Sequence, residues 1–487
     1  MTASVGRIAD TGKVLEVEVP PRSPDLLIPF VNKRRGSALA EAAQTVSHAL
    51  QGRAVININS TARGGGVAEL VQGLCGYAKG AGVESRWLVI DGDSEFFRIT
   101  KRIHNNLHGE KGDGGPLGEA ERGHYERVMA ENVATISAKV RTGDIVILHD
   151  PQTAGLAAAM LQAGARVIWR SHIGHERHDE LVNTAWEFLR PYIQQADFCI
   201  FSLAEYAPAW LDSAAVRVIN PSIDPSSAKN EALGLDAARD ILAQVGLLDA
   251  APVTAPSFRR EDGSQAPFIH RVEALTDGAL PRPDDPVVVQ IARWDALKDM
   301  AGVMRAFTRM EHAPADAHLF LVGPSTSGVA DDPEAGVVLA ECTAQWRALP
   351  DAIRHRVHLV SVPMDDREEN AAIINAIQSH ATVIVQKSLA EGFGLTVTEA
   401  MWKGKPIVAS AVGGIRQQII DGQSGILLPD PWDEAACGQA IGKLLTNPTW
   451  AAELGAAARE RARELFLPDR HLLQYAQLIL ETMPEAA

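Results

Sequence analysis

The chain has 487 residues, with 46 Lys and Arg against 61 Asp and Glu, which gives a formal charge of -15 at pH 7. That surplus of acid argues against nucleic acid or an anionic membrane as the main partner, because both attract basic surfaces. The length accommodates two or three domains. The proportions of hydrophobic (46%) and charged (22%) residues are ordinary for a globular protein. Because the chain is acidic as a whole, an anionic ligand must be bound by a few local cations.

The sequence shows neither the long apolar segments of membrane or secreted proteins nor closely spaced cysteines. No run approaches the roughly 18 to 20 apolar residues that a membrane span needs, and the first residues lack the apolar core of a signal peptide. The cysteines lie far apart and form no C-x-x-C pair: Cys75, Cys199, Cys342 and Cys437. We therefore expect neither disulfides nor a zinc site, and a cytoplasmic location.

Short β-branched runs alternate with Ala- and Leu-rich helical stretches, in two series. The first series covers residues 54–59, 85–91, 144–150, 166–172, 198–202 and 216–220, and the second covers residues 286–292, 318–323, 357–362, 382–386, 406–410 and 425–428. Continuous apolar strands separated by helices indicate buried parallel sheets. The two series predict two facing, doubly wound α/β domains. Because such sheets bind ligands beyond the carboxyl ends of their strands, we expect the site in a cleft between the domains.

The pattern breaks after "NPSID" (220–224), which predicts one Rossmann-like domain over residues 1–222 and a second over 223–465. Residues 250–285 are rich in Pro, Ala, Asp and Gly and have weak periodicity. That composition is typical of a linker or a surface excursion within the second domain.

The stretch "ININSTARGGGVAELVQGL" (56–74) joins a predicted strand to a predicted helix through Gly64, Gly65 and Gly66. Glycines allow a close approach of the backbone to a ligand, and a helix N-terminus offers N–H groups to anions. A simple tight turn is equally compatible with three glycines. The spacing is neither a Walker A loop nor a clean G-x-G-x-x-G, so it gives little support to a P-loop or nicotinamide site.

Two cations follow the first strand of the second series, in "QIARWDALKDM" (290–300). Arg293 and Lys298 suit a diphosphate, because Arg binds oxygens in a fork and Lys acts as a point charge. Taken alone, they would more often be a solvated surface pair.

A pair of carboxylates surrounds a glycine-rich turn in "EGFGLTVTEA" (391–400). The turn Gly392-Phe393-Gly394 lies where a strand ends and a helix begins, so its N–H groups can meet an anion. Glu391 and Glu399 could each accept hydrogen bonds from sugar hydroxyls. Together with the two cations upstream, the pattern indicates a nucleotide-sugar site rather than a surface pair of glutamates.

R-x4-K after a strand, followed by E-x7-E around G-F-G, resembles the retaining nucleotide-sugar glycosyltransferases of family 4. The resemblance runs over most of the chain and is closest to the trehalose glycosyltransferring synthases and the retaining trehalose phosphorylases. The segments that carry it are "NSTARGGGVAEL", "WLVIDGDSEFFRITKRIHNNLHG", "HDPQTAGL", "WRSHIGH", "NPSIDP", "GPSTSGVADDPE" and "EGFGLTVTEAMWKGKPIVAS". It implies the GT-B fold, an α/β arrangement of two facing Rossmann-like domains with a cleft between them. It also implies an acceptor-binding first domain, a donor-binding second domain, and a C-terminal helix (466–487) that returns to the first domain.

The resemblance implies a role for each matching residue. Four catalytic positions are His172, Arg293, Lys298 and Glu391. The donor-binding positions are Gly65, Gly66, Gly392, Phe393, Gly394, Leu395, Thr396 and Glu399. The acceptor-binding positions are Glu95, Lys101, His104, Asn105, Asp150 and Gln152. In this assignment the cations hold the diphosphate, Glu391 holds the hexose and Glu399 holds the ribose.

The implied reaction moves glucose from an NDP-glucose to glucose with retention, which forms trehalose reversibly. No residue stands out as a covalent nucleophile, no metal ligand set is expected, and Mg²⁺ could only assist release of the nucleotide. Relatives are commonly homodimers. Three alternatives stay open: phosphate in place of the nucleotide, another acceptor such as a cyclitol or sugar phosphate, and a non-catalytic nucleotide-sugar binder. The last of these would be expected to lack part of the motif, and the motif is complete.

Overall fold

A computed structural model describes residues 9–10, 14–62, 65–260, 262–310, 314–326 and 333–483. The chain divides into two compact units, Met1–Ser222 with Phe466–Ala487, and Ile223–Leu465. Each unit has a mainly parallel sheet of its own and a separate hydrophobic core. The predicted class, two doubly wound α/β domains, is confirmed.

The first unit is built on an eight-stranded sheet. Its strands are β1 (Ala9–Asp10), β2 (Leu15–Val17), β3 (Ala54–Asn59), β4 (Glu84–Val89), β5 (Ile145–His149), β6 (Arg166–Arg170), β7 (Phe198–Phe201) and β8 (Val216–Val218). The strand order is β1-β2-β4-β3-β5-β6-β7-β8. Strands β3 to β8 are parallel, whereas β1 and β2 add antiparallel at one edge. Strand β3 is buried along its whole length, as expected of a central parallel strand.

Helices connect these strands. They are α1 (Lys33–Ala49), α2 (Gly65–Gly80), α3 (Ser94–Leu107), α4 (Glu119–Ser137), α5 (Asp150–Thr153), α6 (Ala157–Gln162) and α7 (Glu180–Ile193), with 3₁₀ turns at Pro24–Phe30, Ala154–Leu156 and Ala204–Tyr206. The side chain of Asp93 caps α3 through the N–H of Phe96, which fixes where that helix begins.

The second unit has a seven-stranded sheet and a separate hairpin. Its strands are β9 (Ser257–Arg259), β10 (Gln265–Pro267), β11 (Glu273–Leu275), β12 (Val287–Ile291), β13 (His318–Pro324), β14 (Val357–Val362), β15 (Val383–Gln386), β16 (Ile407–Ser410) and β17 (Ile426–Leu428). The sheet order is β11-β14-β13-β12-β15-β16-β17, and only β11 is antiparallel to its neighbour. Strands β9 and β10 form the hairpin.

The helices of this unit are α8 (Leu235–Val245), α9 (Met300–Thr308), α10 (Pro333–Arg347), α11 (Asp351–Arg354), α12 (Arg367–His380), α13 (Leu395–Trp402), α14 (Ile415–Gln418), α15 (Glu434–Thr446) and α16 (Pro448–Leu465), with a 3₁₀ turn at Ala296–Lys298. Strands β12 and β15 are neighbours in the sheet, so the loops that follow them emerge at the same edge.

The stretch 250–285, in which a linker or surface excursion was expected, contains β9, β10 and β11. It is tied to the N-terminus of α12. The buried carboxylate of Glu369 accepts the backbone N–H groups of Ile269 and His270 at 2.7 and 2.8 Å, and the His270 side chain binds it at 2.6 Å. Residues 250–285 therefore contain ordered elements that their weak hydrophobic periodicity does not predict, because polar contacts hold these elements in place.

The chain ends with α17 (Pro468–Glu481), which packs against α1 in the first unit. Arg35 on α1 donates to both carboxylate oxygens of Asp469, at 2.6 and 2.7 Å. Tyr475, Leu478 and Ile479 on α17 join a core cluster with residues of β3, β5, β6 and β7. No helix in the described ranges is long and apolar enough to cross a membrane.

Candidate active site

One group of predicted site residues lies in the second unit, in the loops after β12 and β15. The N–H of Leu389 donates to the carbonyl of Leu297 at 2.8 Å, so the two loops run side by side. Lys298 Nζ lies 2.7 Å from Glu391 Oε2, and both side chains are mostly buried. Ser388 Oγ also donates to Glu391 Oε2, at 3.2 Å. The structure thus brings together two of the predicted catalytic residues.

Arg293 is placed in the same loop by its neighbour Trp294. The indole of Trp294 is buried and donates to the carbonyl of Pro324 at 2.9 Å, which anchors the loop on β13. The Arg293 side chain is 51% exposed, and its nearest acid is Asp295 at 3.4 Å. A half-exposed guanidinium with one long contact can bind an anionic ligand at little cost in lost interactions.

The turn between Glu391 and α13 leaves a helix N-terminus open. Gly394 has φ +88°, a left-handed conformation in which a side chain would be strained. No side chain of the described residues caps the helix that begins at Leu395. The buried amide of Gln418 donates to the carbonyls of Phe393 and Gly394, so the peptide orientation of the turn is fixed. The first-turn N–H groups of α13, including those of Leu395 and Thr396, are therefore held in an orientation suited to an anion.

Glu399 lies in the second turn of α13 and is only 4% exposed. Its Oε2 accepts the amide of Gln378 at 3.1 Å, and its Oε1 lies 3.2 Å from Lys229 Nζ. Lys403 lies close enough to interact electrostatically with this carboxylate, and burial lowers the pKa of Lys403 to about 7. The carboxylate is thus oriented by named donors and balanced by a lysine.

A second group of predicted site residues lies in the first unit, around His172. His172 Nε2 lies 2.9 Å from His149 Nδ1, and His149 Nε2 lies 3.0 Å from Asn57 Oδ1. The two imidazoles are stacked, with ring centroids 5.2 Å apart. Burial lowers the pKa of His172 well below its usual range and that of His149 to about 3. Both rings are therefore neutral at pH 7.

Asp150 adjoins His172 and is held in an unusual backbone conformation. Its φ is +62°, and its Oδ1 accepts the backbone N–H of His172 at 2.7 Å. Burial raises the pKa of Asp150 to about 7, although that hydrogen bond and the charge of Arg170 both oppose the rise. Strain of this kind persists only where the surrounding structure enforces it, and it concentrates at functional sites.

Arg170 supplies the positive charge next to these groups. It is fully buried and lies beside the Tyr475 hydroxyl, but none of its three nitrogens has a hydrogen-bond partner of normal geometry among the described residues. Its charge adds to burial in lowering the pKa of both His172 and His149. Arg170 therefore favours a neutral imidazole and an ionised Asp150.

The remaining predicted acceptor residues lie on α3 and α5. Lys101, His104 and Asn105 lie on one partly exposed face of α3, and α3 packs against α5, which carries Gln152. Glu95, at the start of α3, is paired with Arg98 at 2.5 Å instead. Of the predicted glycine loop, Gly65 and Gly66 begin α2 and Gly64 lies outside the described residues. The segment "GPSTSGVADDPE" also lies partly outside them.

Several residues of the candidate site were not identified from the sequence. They are Asn57, His149, Arg170, Lys229, Gln290, Gln378, Lys387 and Gln418. A signal exists for Arg170, Gln290 and Lys387, because each is a polar or charged residue at the end of an apolar strand, where burial requires a partner. Lys229 and Gln378 have no such signal, since their roles depend on contacts across the fold. Among the residues that the structure describes, no three acidic, Cys or His side chains are grouped as metal ligands.

The chain matches known families over both units. Residues 57–208 match the family "Trehalose synthase, N-terminal domain", and residues 274–464 match "Glycosyl transferases group 1". The trehalose synthase of Pyrococcus horikoshii is 33% identical over 90% of this chain and 92% of its own length. That of Rubrobacter xylanophilus is 34% identical over 88% and 90%. A trehalose phosphorylase of Pleurotus sajor-caju is 25% identical, over 78% of this chain and 51% of its own.

Solved structures share the fold at lower identity. An α,α-trehalose-phosphate synthase (UDP-forming) from Burkholderia xenovorans superposes with a TM-score of 0.64 at 14% identity, covering 88% of this chain and all of that one. A sucrose-phosphate synthase from Thermosynechococcus elongatus gives 0.60 at 21% identity, covering 88% and 99%.

The fold is that of a GT-B glycosyltransferase, and with the family matches it confirms the predicted fold and enzyme class. Within that class, the chain belongs to the trehalose synthase family of the group 1 glycosyl transferases. The resemblance found in the sequence is thereby confirmed.

Proposed function

We propose that this enzyme transfers glucose from an NDP-glucose to glucose with retention of configuration, and so forms trehalose reversibly. The observation that carries the proposal is the arrangement after β12 and β15. There, an ammonium and a carboxylate lie in two adjoining loops, and the helix that follows the second loop has no side-chain cap among the described residues. The identity to trehalose synthases over nine-tenths of the chain supports this choice of substrates.

On the donor side, the leaving group is a nucleoside diphosphate that gains negative charge as its bond to the sugar breaks. Arg293, Lys298 and the first-turn N–H groups of α13 can bind that charge, which is the largest contribution to catalysis in sites of this kind. Glu391 can then accept a hexose hydroxyl. Glu399 can accept the ribose hydroxyls, since its carboxylate is already oriented by Lys229 and Gln378.

On the acceptor side, we assign His172 and Asp150 to the glucose that is glycosylated. A neutral His172 can exchange hydrogen bonds with a sugar hydroxyl, but at pH 7 it carries no proton to donate as an acid. Asp150 can accept a second hydroxyl. In the front-side reaction that retention requires here, the leaving phosphate oxygen takes the proton of the acceptor hydroxyl, so no protein nucleophile is needed.

A second candidate is a phosphorylase that uses inorganic phosphate in place of the nucleotide. The similarity to trehalose phosphorylases favours it, and the same cations would bind glucose 1-phosphate. The buried Glu399 subsite favours the nucleotide reading, because glucose 1-phosphate has no ribose for it. Solved structures of this fold in complex with UDP and with UDP-glucose also support a nucleotide sugar.

The test is a donor and acceptor panel. Purified protein is incubated with trehalose and either ADP, UDP, GDP or phosphate, with Mg²⁺ or with EDTA, and the products are read by NMR. Formation of an α-linked NDP-glucose and free glucose supports the proposal. Release of glucose with phosphate alone assigns the phosphorylase reaction, and a different disaccharide or a cyclitol glycoside in the synthetic direction corrects the acceptor. A homodimer and a cytoplasmic location stay predictions.

A further inference from the structure

The loops that carry Lys298 and Glu391 are joined by one buried amide. Gln290, near the end of β12, is fully buried. Its Nε2 donates to the carbonyl of Lys298 at 2.6 Å, and its Oε1 accepts the backbone N–H of Lys387 at 2.8 Å. A single side chain therefore fixes the backbone of the loop after β12 and the start of the loop after β15.

A buried ion pair makes a second connection between the same loops. The ammonium of Lys387 is fully buried and contacts the carboxylate of Asp299. Asp299 has φ +44°, and its other oxygen accepts the N–H of Gly302 at 3.0 Å, which caps α9. A buried ammonium is strongly destabilising without its partner. The pair therefore holds the residue after Lys298 against the residue that begins the Glu391 loop.

The connections occur at different points along the two loops. Starting from the sheet, they are the Gln290 bridge, the Lys387–Asp299 pair, the hydrogen bond from Leu389 to Leu297, and the contact of Lys298 with Glu391. The last of these must change when a donor binds, because both groups are then needed by the ligand. The other three involve buried side chains and backbone groups, so they can persist throughout a reaction cycle.

We propose that Gln290, Asp299 and Lys387 are positioning residues that set the Lys298 ammonium and the Glu391 carboxylate at a fixed spacing when these groups bind the donor. The proposal rests on the proposed function. Its physical basis is that a misplacement of about 1 Å can lower a rate by about 10²-fold. None of the three residues needs to touch the substrate for this effect.

The experiment compares Asp299→Asn, Lys387→Met and the double variant with a control, Asp285→Asn. Asn keeps the helix cap and tolerates the left-handed backbone. Asp285 is also buried and pairs with Arg282 at 2.9 Å, but it precedes β12 and so lies at the other end of the strand. Each single variant and the control should lose thermal stability. Only Asp299→Asn and Lys387→Met should lose kcat, by about 10- to 100-fold, with KM for the acceptor unchanged.

The double variant separates positioning from stability. Removing both buried charges should restore much of the thermal stability, because no unpaired charge is left, whereas kcat should stay low. If kcat returns with stability, or if Asp285→Asn lowers kcat equally, the proposal is overturned. Gln290→Met, which keeps the side-chain shape, replaces these variants if they fail to fold, and the same loss of kcat is expected.

Hydrogen exchange gives a readout that needs no substrate. In each positioning variant, amides of residues 294–299 and of residues 387–392 should exchange faster together, whereas in Asp285→Asn neither segment should change. Faster exchange in only the mutated loop would show that the loops are not coupled. If the wild-type protein transfers glucose from no NDP-glucose, the proposed function fails, and the exchange result still decides whether the loops are coupled.

Discussion

The ammonium of Lys298 lies 2.7 Å from the carboxylate of Glu391, so each charge is balanced by the other when no donor is bound. In the proposed function, donor binding redirects both groups, the ammonium to phosphate oxygens and the carboxylate to the hexose. The proposal therefore predicts that the pair serves the ligand and is not a structural ion pair alone, a distinction that substitution can test.

Lys298→Met and Glu391→Gln should each lower kcat by about 10²- to 10³-fold, because each removes a group expected to stabilise the transition state. Each variant should also lose some stability, since the two side chains are only 15% and 14% exposed and each substitution removes one partner of the pair. Steady-state kinetics with thermal unfolding of the same samples checks this. Glu460→Gln, which breaks the exposed pair with Arg463, is the matched control and should leave kcat unchanged. If Lys298→Met had the kcat of wild type, Lys298 would not be the residue that binds the diphosphate.

Arg293→Ala should lower kcat/KM by about 10²-fold or more, because a charge-assisted contact to the diphosphate is lost. The melting temperature should stay within about 1 °C of wild type, since the Arg293 side chain is 51% exposed and has one long contact. The control is Arg309→Ala, a 54% exposed arginine of the same unit that pairs with Glu434 at 3.1 Å. Equal activity in the two variants would contradict the assignment of Arg293.

The sheets were more predictable from the sequence than the site. Strands β3 and β14 have the bounds that the sequence predicts, because a buried parallel strand is rich in apolar and β-branched residues. Strands β2 and β11 were missed. Each has three residues and pairs antiparallel with the parallel strands, so neither contains enough residues to show a pattern.

At the site, sequence reasoning identified residues that belong to a short motif and missed those that support them. Glu391 and Glu399 are eight positions apart around a turn, so their spacing is visible in one segment. Gln290 and Lys387 are separated by 97 residues, and their hydrogen bond exists only because β12 and β15 are neighbours in the sheet. The roles assigned to the acceptor residues on α3 stay predictions.

Activity should depend on the ionisation of Asp150. Its pKa of about 7 means that the carboxyl is protonated below pH 7, and a protonated group accepts a sugar hydroxyl less well. We expect kcat/KM to fall below pH 7 with an apparent pKa near 7. Asp150→Asn should have low activity and lack this limb of the profile. His149 and His172 should contribute no limb there, because burial holds both neutral at this pH. An identical limb in the variant would assign it to another group.

The same shift predicts an effect on stability. Burial raises the pKa of Asp150 above its unfolded value of 3.8, so between pH 4 and 7 the folded protein holds a proton that the unfolded chain has lost. The contribution of this group to the free energy of unfolding therefore decreases as pH rises through that range, by at most about 1.4 kcal/mol per pH unit. Urea unfolding at pH 5 and pH 8 should show Asp150→Asn gaining stability relative to wild type at the higher pH. An equal difference at both pH values would show that the pKa is not raised.

Lys403 should give a pH dependence in a different range. Its ammonium donates to the carbonyl of Lys229 at 2.9 Å, and burial lowers its pKa from 10.5 to about 7, against the attraction of Glu399 and with repulsion from Lys229 and Lys405. Between pH 7 and pH 10.5 the unfolded chain holds the proton that the folded protein lacks. The contribution of Lys403 to the free energy of unfolding therefore rises with pH across this interval and is lost as pH falls through 7.

Lys403→Met removes this dependence, so wild type should gain stability relative to the variant between pH 7.5 and pH 9.5, by at most about 1.4 kcal/mol per pH unit. Urea unfolding at the two pH values measures the difference. Lys443→Met is the control, because the Lys443 side chain is exposed on α15 and the same substitution there removes no buried ammonium. If the two variants respond to pH alike, the ammonium of Lys403 is charged in the folded protein at neutral pH, and the carboxylate of Glu399 is then balanced by two full positive charges.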